Sequence, residues 1–551
     1  MWRGGLCWSG ARVDGWEPRG DAAIASESGG VRIRICVMRA ALVCGWILAC
    51  GAVGVTWGQE QQAGPTEVQL GQLQEIDVAQ GGRANLAQIA AESTGQNESQ
   101  SASQANPQEE ANPAPGEESG EPGVTMFPHS ETARWWVSGQ ANIIGQWHPE
   151  FSAAYSGPNS LRAEAENATS EVFTLYTGYQ ISKYTEVLLD VESAGGHGLS
   201  NTLGLAGFPN LDVVRNPTLG RAPYVARLML HQIVPLSHES AAAERGVLSL
   251  ATSLPVRRIE FRIGKMSLVD FLDVNSAGSD SHLQFLNWTT DNNGAYDYAA
   301  NTRGYTEGAV VEYDDHDFSV RFAEAMMPKV ANGINLDANL LRAHSETVEG
   351  EWREKIFGGR GGVVRVLSFV NHANMGSYRE AIDDFLRGSG PGAGGARPSI
   401  IATREQGRAK YGFGLNFEQD LTSHFGFFGR LGWNDGKTES FVYTEVDRAF
   451  EIGPYFRGDW WRRKNDRAGA AFDLNGISGD HARYLQLGGL GFLLGDGRLT
   501  YDMEKIFEAY YTAHVWRGSF LSFDLQHVQN PGYNEARGPV LIPALRAHVD
   551  F

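Results

Sequence analysis

Between Met126 and Phe551, short segments alternate apolar and polar residues with a period of two, and clusters of Gly, Asn and Asp separate them. The clearest are Thr185 to Glu192, Tyr411 to Glu418, Phe425 to Asn434 and Leu521 to Gln526. In each, one face is apolar or aromatic and the other carries Glu, Asp, Asn, Arg or Gln, the alternation of a strand whose two sides meet different surroundings. The last segment, Val540 to Phe551, sets Leu541, Pro543, Leu545, Ala547, Val549 and Phe551 against Arg546, His548 and Asp550. Full charges opposite an apolar face suit strands that meet lipid on one side and a wet lumen on the other. No run after residue 58 reaches the roughly 18 apolar residues of a membrane helix, so spanning falls to strands. At about 27 residues for each strand with its share of turn and loop, 126–551 is expected to form an all-β transmembrane antiparallel β-barrel of about 16 strands.

Upstream the pattern changes. Met38-Arg39, the apolar run Ala40 to Val55 and the close Thr56-Trp57-Gly58 read as a signal peptide over 38–58. Residues 1–37 show no apolar periodicity and are read as an extension from a start codon set too early. A lipobox at Ile47-Leu48-Ala49-Cys50, which would lipidate Cys50, fits less well because of the Leu before Ala49. From Gln59 to Thr125 the chain is rich in Gln, Glu, Ala, Ser, Gly and Pro, with Arg83 its one cation. Such a stretch cannot bury enough apolar surface to order itself, so 59–125 is read as a disordered acidic periplasmic tail. All four cysteines, Cys7, Cys36, Cys44 and Cys50, precede residue 51, which leaves the exported body without disulfide or thiolate metal site.

The formal charge of −19 argues against a nucleic-acid partner and, in a pore, favours neutral or cationic solutes. Catalytic signatures fail on inspection. Gly264-Lys265-Met266-Ser267 resembles the end of a phosphate loop, but Ile259 stands where its first Gly belongs. His238-Glu239 lacks its second His, because position 242 is Ala242. No catalytic or metal-ligating residue is therefore expected. Strand parity instead supplies candidates for a pore lining. Glu260 and Arg262 share one face of Ile259 to Ile263; Arg321, Arg365 and Arg430 each stand between apolar or glycine neighbours. An Arg toward lipid at the midplane costs about 2–4 kcal/mol, so these side chains are expected in the lumen, as solute contacts or as wall charges. Asp270, Asp273 and Asn275 occupy a loop-like stretch suited to fold inward as a constriction or to cap Asx turns. Trp460 and Trp461 fit either a pore lining or an interfacial aromatic girdle.

Several pieces come in a particular order: Gly195-Gly196-His197-Gly198-Leu199-Ser200-Asn201, Gln284-Phe285-Leu286-Asn287-Trp288, Tyr411 to Gln419, Gly429 to Lys437, Asp466-Arg467-Ala468-Gly469, Gly495-Asp496-Gly497 and Asn530 to Val540. In this series the chain resembles the carbohydrate-selective porin family of Gram-negative outer membranes. The polar stretches Arg342 to Arg360 and Arg387 to Gln406 depart from that pattern and are read with the external loops. The resemblance implies a sixteen-stranded outer-membrane barrel passing mono- or disaccharides down their gradient, without cofactor or energy input. Its partners would be carbohydrate solutes and outer-membrane lipid, with homo-oligomers common among porins. Likeness to other outer-membrane barrels implies that the barrel assembly machinery reads the final strand ending in Phe551. Two readings stand beside it: a general or differently selective porin, and a secreted carbohydrate-binding β protein or β-scaffold enzyme.

Overall fold

The computed structural model describes residues 124–551, apart from 215, 217, 218 and 356–358. The segments read above as an extension (1–37), a signal peptide (38–58) and, all but its last two residues, a tail (59–125) lie outside the described residues. Sixteen antiparallel strands close into a barrel. In chain order they are β1 (Trp135–His148), β2 (Glu166–Ser182), β3 (Thr185–Gly196) and β4 (Tyr224–Pro235), then, after a small separate hairpin of β5 (Ser240–Ala242) and β6 (Ser253–Pro255), β7 (Arg258–Met266), β8 (Thr306–Asp314) and β9 (Phe318–Met326). The ring continues through β10 (His344–Lys355), β11 (Gly361–Met375), β12 (Glu405–Asp420), β13 (Phe425–Asn434) and β14 (Arg448–Arg457). It ends with β15 (Arg467–Gly476), β16 (Glu504–Trp516), β17 (Ser519–Gln529) and β18 (Val540–Asp550). β4 pairs with β7, and β1 with β18 closes the ring, setting Asn142 opposite His548 and Ile144 opposite Arg546.

The closure follows from the solvent. In hydrocarbon every strand must find hydrogen-bonding partners on both sides, and only a ring leaves no edge. The outer face is the apolar one. On β18, Leu541 and Leu545 are exposed while Arg546 and His548 are buried inside. On β10, Val348 and Trp352 point out while Glu349 and Glu351 point in. The stretch Arg342 to Arg360, expected among the loops, thus contains a full barrel strand. Its lumen face carries so many charges that the segment reads as polar throughout.

Eight long connections leave one end of the barrel, the longest being 267–305 between β7 and β8. Turns at the other end are short, such as 183–184 and 517–518, and both ends of the barrel chain lie there, with the Met126 amide donating to the Asp550 carbonyl at 2.8 Å. Long loops mark the outer side and short turns the periplasmic side. One periplasmic connection breaks the rule: 236–257, which carries β5 and β6. Among the described residues three α-helices, α1 (Trp288–Asp291), α2 (Tyr378–Arg387) and α3 (Gly479–Gln486), sit in long loops. Among the described residues no helix is long and apolar enough to cross a membrane. Gly264 near the end of β7 has φ +134°, and a Cβ there would lie 2.2 Å from the Leu228 carbonyl oxygen. Only glycine lets β7 approach β4 so closely just before the longest loop.

Leu545 sits halfway along β18 with 56% of its surface exposed. Leu545→Arg is expected to cost about 2–4 kcal/mol, read as a lowered urea midpoint in lipid vesicles, and an unchanged midpoint would place this face away from hydrocarbon.

Candidate functional site

Charges on the lumen side pair across neighbouring strands. His231 of β4 stands between Glu186 of β3 and Glu260 of β7, 2.7 Å from each. Glu260 also receives Arg258 at 2.5 Å and Arg262. Arg262 continues to Glu312 of β8 at 2.9 Å. Arg321 of β9 joins Glu312 at 2.8 Å to Glu349 and Glu351 of β10 at 2.8 and 2.9 Å. Arg365 of β11 links Glu351 at 2.9 Å to Glu418 of β12 at 3.0 Å. Register produces these pairs, for Arg321 stands opposite both Glu312 and Glu349, and Arg365 opposite Glu351. Charges removed from water are tolerated when each has several partners, and here one chain of alternating sign runs from β3 to β12.

The connection 267–305 folds into the lumen and spends its polar groups on that wall. The Asp273 and Ser276 amides donate to Glu349 at 2.7 Å and to Glu418 at 2.9 Å. Leu286 and Asn287 amides reach Glu508 of β16 at 2.6 and 3.2 Å, and the Thr290 hydroxyl reaches Asp473 of β15 at 2.8 Å. Arg430 of β13, 1% exposed, donates to the Thr290 carbonyl at 2.9 Å and the Ser279 hydroxyl at 2.8 Å. It also pairs with Asp273 at 3.1 Å and Glu451 at 3.0 Å. From β18, Arg546 donates to the carbonyls of Ser281 and Gln284 at 2.6 and 2.8 Å. The Asn287 side chain caps α1 by accepting the Thr289 amide at 3.0 Å. The neighbouring connection 197–223 follows the same route. Its Ala206 and Gly207 amides donate to Glu504, and its Phe208 and Asn210 carbonyls accept the Trp288 amide and indole N–H at 2.9 and 2.6 Å.

A cavity of about 470 Å³ remains between these inward segments and the wall of β1 to β4, within the ~300–1,000 Å³ typical of small-molecule sites. Trp288 and Tyr443 line it and stack at 5.5 Å with planes 6° apart; Tyr298 packs on Tyr443 at 5.0 Å. Opposite chemistry lies close by. Arg227 of β4 holds Asp190 of β3 and, at 2.6 Å, Asp270. Glu192 accepts the hydroxyls of Tyr224 and, at 2.9 Å, Tyr305, while the Arg303 guanidinium lies 3.7 Å above the Tyr224 ring. From the periplasmic end the turn 236–257 also reaches in: Val247 and Leu248 line the cavity, the Leu250 amide donates to Glu186 at 3.0 Å, and Arg245 donates to the Ser130 and Ala133 carbonyls at 2.8 and 2.6 Å. Two loop carboxyls lining the cavity differ in character. Burial pushes Asp291 well above the usual carboxylate range, with Arg430 opposing. Burial also works to raise Asp280, but Arg467, with His282, Arg546 and His548, brings it below its ordinary value. Together the cavity presents ring faces for C–H surfaces and dense donors and acceptors for hydroxyls.

Of the sequence candidates, Glu260, Arg262, Arg321, Arg365 and Arg430 face inward, and their charges are engaged with neighbouring strands or the inward loop. Asp273 has φ +59° and is tied to Arg430, to the Asn293 amide at 2.8 Å and to Asn416. Asp270 is the one of the eight that lines the cavity. Trp460 does not line the lumen: it is 58% exposed and stacks with the outward Phe425 and Phe456 at 6.4 and 5.9 Å, in a periplasmic-side turn. A ring this large gains more from the apolar exterior than from the charged interior. Sequence reasoning missed Arg227, Glu192, Asp212, Tyr305 and Tyr443 as cavity residues. Glu192 carried a signal, standing on the polar side of Thr185 to Glu192; Asp212 and Tyr443 come from separate loops and carried none.

A sixteen-stranded barrel with an apolar belt, a charged lumen and a loop folded inward is an outer-membrane porin. The model of the carbohydrate-selective porin, OprB family, matches residues 161–551, and the chain belongs to that family. It is a passive outer-membrane channel for carbohydrates. Among solved structures, the high-pH structure of Pseudomonas putida OprB is 15% identical with a TM-score of 0.57, covering 76% of this chain and 94% of that one. The outer-membrane channel DcaP of Acinetobacter baumannii is 9% identical with a TM-score of 0.43, over 76% of this chain and 97% of that one. Comparison with curated proteins gives no match.

Arg430→Met would leave Asp273 and Glu451 as buried carboxylates without their cation, a loss of about 3–5 kcal/mol. The hold on 267–305 weakens, so single-channel conductance in a planar bilayer should rise; an unchanged conductance would show that the other anchors suffice.

Proposed function

We propose that mono- and disaccharides diffuse through the cavity between the inward connections and β1 to β4, with Asp270, Arg227 and Glu192 exchanging hydrogen bonds with hydroxyls. The observation that carries this reading is the meeting of the Trp288, Tyr298 and Tyr443 rings with those polar groups in one cavity. A sugar has hydroxyl edges and C–H faces, and a passage that matches both weakly binds it without trapping it. The five inward-facing candidates, Glu260, Arg262, Arg321, Arg365 and Arg430, act in this reading as framework, and Asp273 as an anchor of the constriction. The protein works without catalysis, cofactor or energy input. Conductance in a planar bilayer, titrated with glucose, a disaccharide and an organic anion, tests it. Saturable block by sugars is expected, and block by none of them leaves a general porin. Half-buried Tyr305 offers both a ring and a hydroxyl at the cavity. Tyr305→Ala should weaken sugar block by roughly three- to tenfold, the equivalent of about 0.5–1.5 kcal/mol for one ring contact.

The same reading assigns 38–58 to a signal peptide, 59–125 to a periplasmic tail and 126–551 to the barrel, and expects several barrels to associate through their outer faces. It also makes the last strand the handle for barrel assembly. The Phe551 amide donates to the Gly139 carbonyl at 2.8 Å, and its own carbonyl accepts the Ser138 hydroxyl at 2.8 Å, so the terminal residue helps fasten the seam. Deleting Phe551 should lower the amount of folded protein in outer-membrane fractions, and normal insertion without it would remove that role.

A further inference from the structure

Six acidic side chains line the passage, Asp190, Glu192, Asp212, Asp270, Asp280 and Asp291, against the guanidiniums of Arg227 and Arg303. Arg227 is taken by Asp190 and Asp270, and Asp280 is taken by Arg467 of β15 at 3.0 Å. Three acidic side chains remain with no Lys or Arg in ion-pair contact among the described residues. Glu192 receives hydroxyls from Tyr224, Tyr305 and Thr174. Asp212 receives Asn142 and Ser281, with His282 at 3.4 Å. Asp291 is 3% exposed; its Oδ2 accepts from Asn292 at 2.6 Å, and its Oδ1 has no hydrogen-bond partner. The Oδ1 atoms of Asn292 and Asp190, which also line the cavity, are without a donor too. Buried acceptors of this kind are costly until a ligand supplies the donor. A hydroxyl supplies one; an ammonium supplies three and a positive charge besides.

We propose that, within its carbohydrate range, the passage prefers sugars bearing a protonated amine, such as hexosamines, and holds back sugar acids and sugar phosphates. This rests on the passage assigned above, and deepens it by naming the charge of the preferred solute. The unpaired acceptors recognise the ammonium, while the Trp288, Tyr298 and Tyr443 rings recognise the C–H face that every pyranose keeps. A sugar anion meets the same carboxylates as a repulsion.

Liposome swelling with the purified full-length barrel, at about pH 6 where a sugar amine is protonated, tests this with glucose, glucosamine, N-acetylglucosamine and gluconate. Glucosamine is expected to enter on the order of fivefold faster than gluconate, with glucose and N-acetylglucosamine between them, and a potassium chloride gradient should give a reversal potential of cation-selective sign. Glu192→Gln and Asp212→Asn, each checked for a folded barrel by heat-modifiable gel mobility, should narrow the ratio of glucosamine to glucose. Equal entry of glucose and glucosamine, or faster entry of gluconate, overturns the amine preference and leaves the sugar passage standing. A barrel that conducts ions yet swells with no sugar overturns the passage itself.

Discussion

Lipid excludes charge from the middle of this barrel's outer face, and the lumen concentrates it. The guanidiniums of Arg262, Arg321 and Arg365 lie between carboxylates of adjacent strands, so the side chains that could not face outward become the bracing of the inner wall. Each pair is expensive to break, because the partner left behind is a charge out of water. The wall carboxylates serve twice. Glu349 and Glu418 brace Arg321 and Arg365 and also accept amides of 267–305, which carries the narrowing of the pore into the same network. Framework and constriction are therefore one electrostatic object.

Strands were readable from the chain because lipid outside and charge inside impose a period of two that soluble sheets show less sharply. Val540 to Phe551 carried the whole pattern in twelve residues. The same physics hid β10. Its outward positions include Glu346, Gly350 and Glu354 beside Val348 and Trp352, so the alternation blurs and the segment looks like loop. Parity also put Glu260, Arg262, Arg321, Arg365 and Arg430 on the lumen side. What parity does not hold is the register between strands, and register decides whether a guanidinium is free for a solute or spent on a neighbour. The cavity itself draws on β1 to β4, four connections on the outer side and one turn on the periplasmic side, a meeting of distant segments that no local pattern announces. Trp460 illustrates a further limit: an aromatic in a turn has no parity, and its side was set by Phe425 and Phe456.

The passage is narrowed from both ends. From outside come 197–223 and 267–305, stitched to each other where Trp288 donates to the Phe208 and Asn210 carbonyls. From inside comes 236–257, whose Val247 and Leu248 set an apolar pair beside the acidic lining. Rings and apolar side chains alternate with hydrogen-bonding groups around one cavity. A solute crossing it exchanges partners in small steps, and no single contact is strong enough to hold it.

Arg546 ties two of these properties to time. The strand that seals the ring against β1 also fastens 267–305 through the Ser281 and Gln284 carbonyls. A chain cut short before residue 546 would lose the seam and this clasp together, so the narrow bore becomes secure only as the cylinder is completed, and an unfinished barrel has no way to be a tightly gauged one.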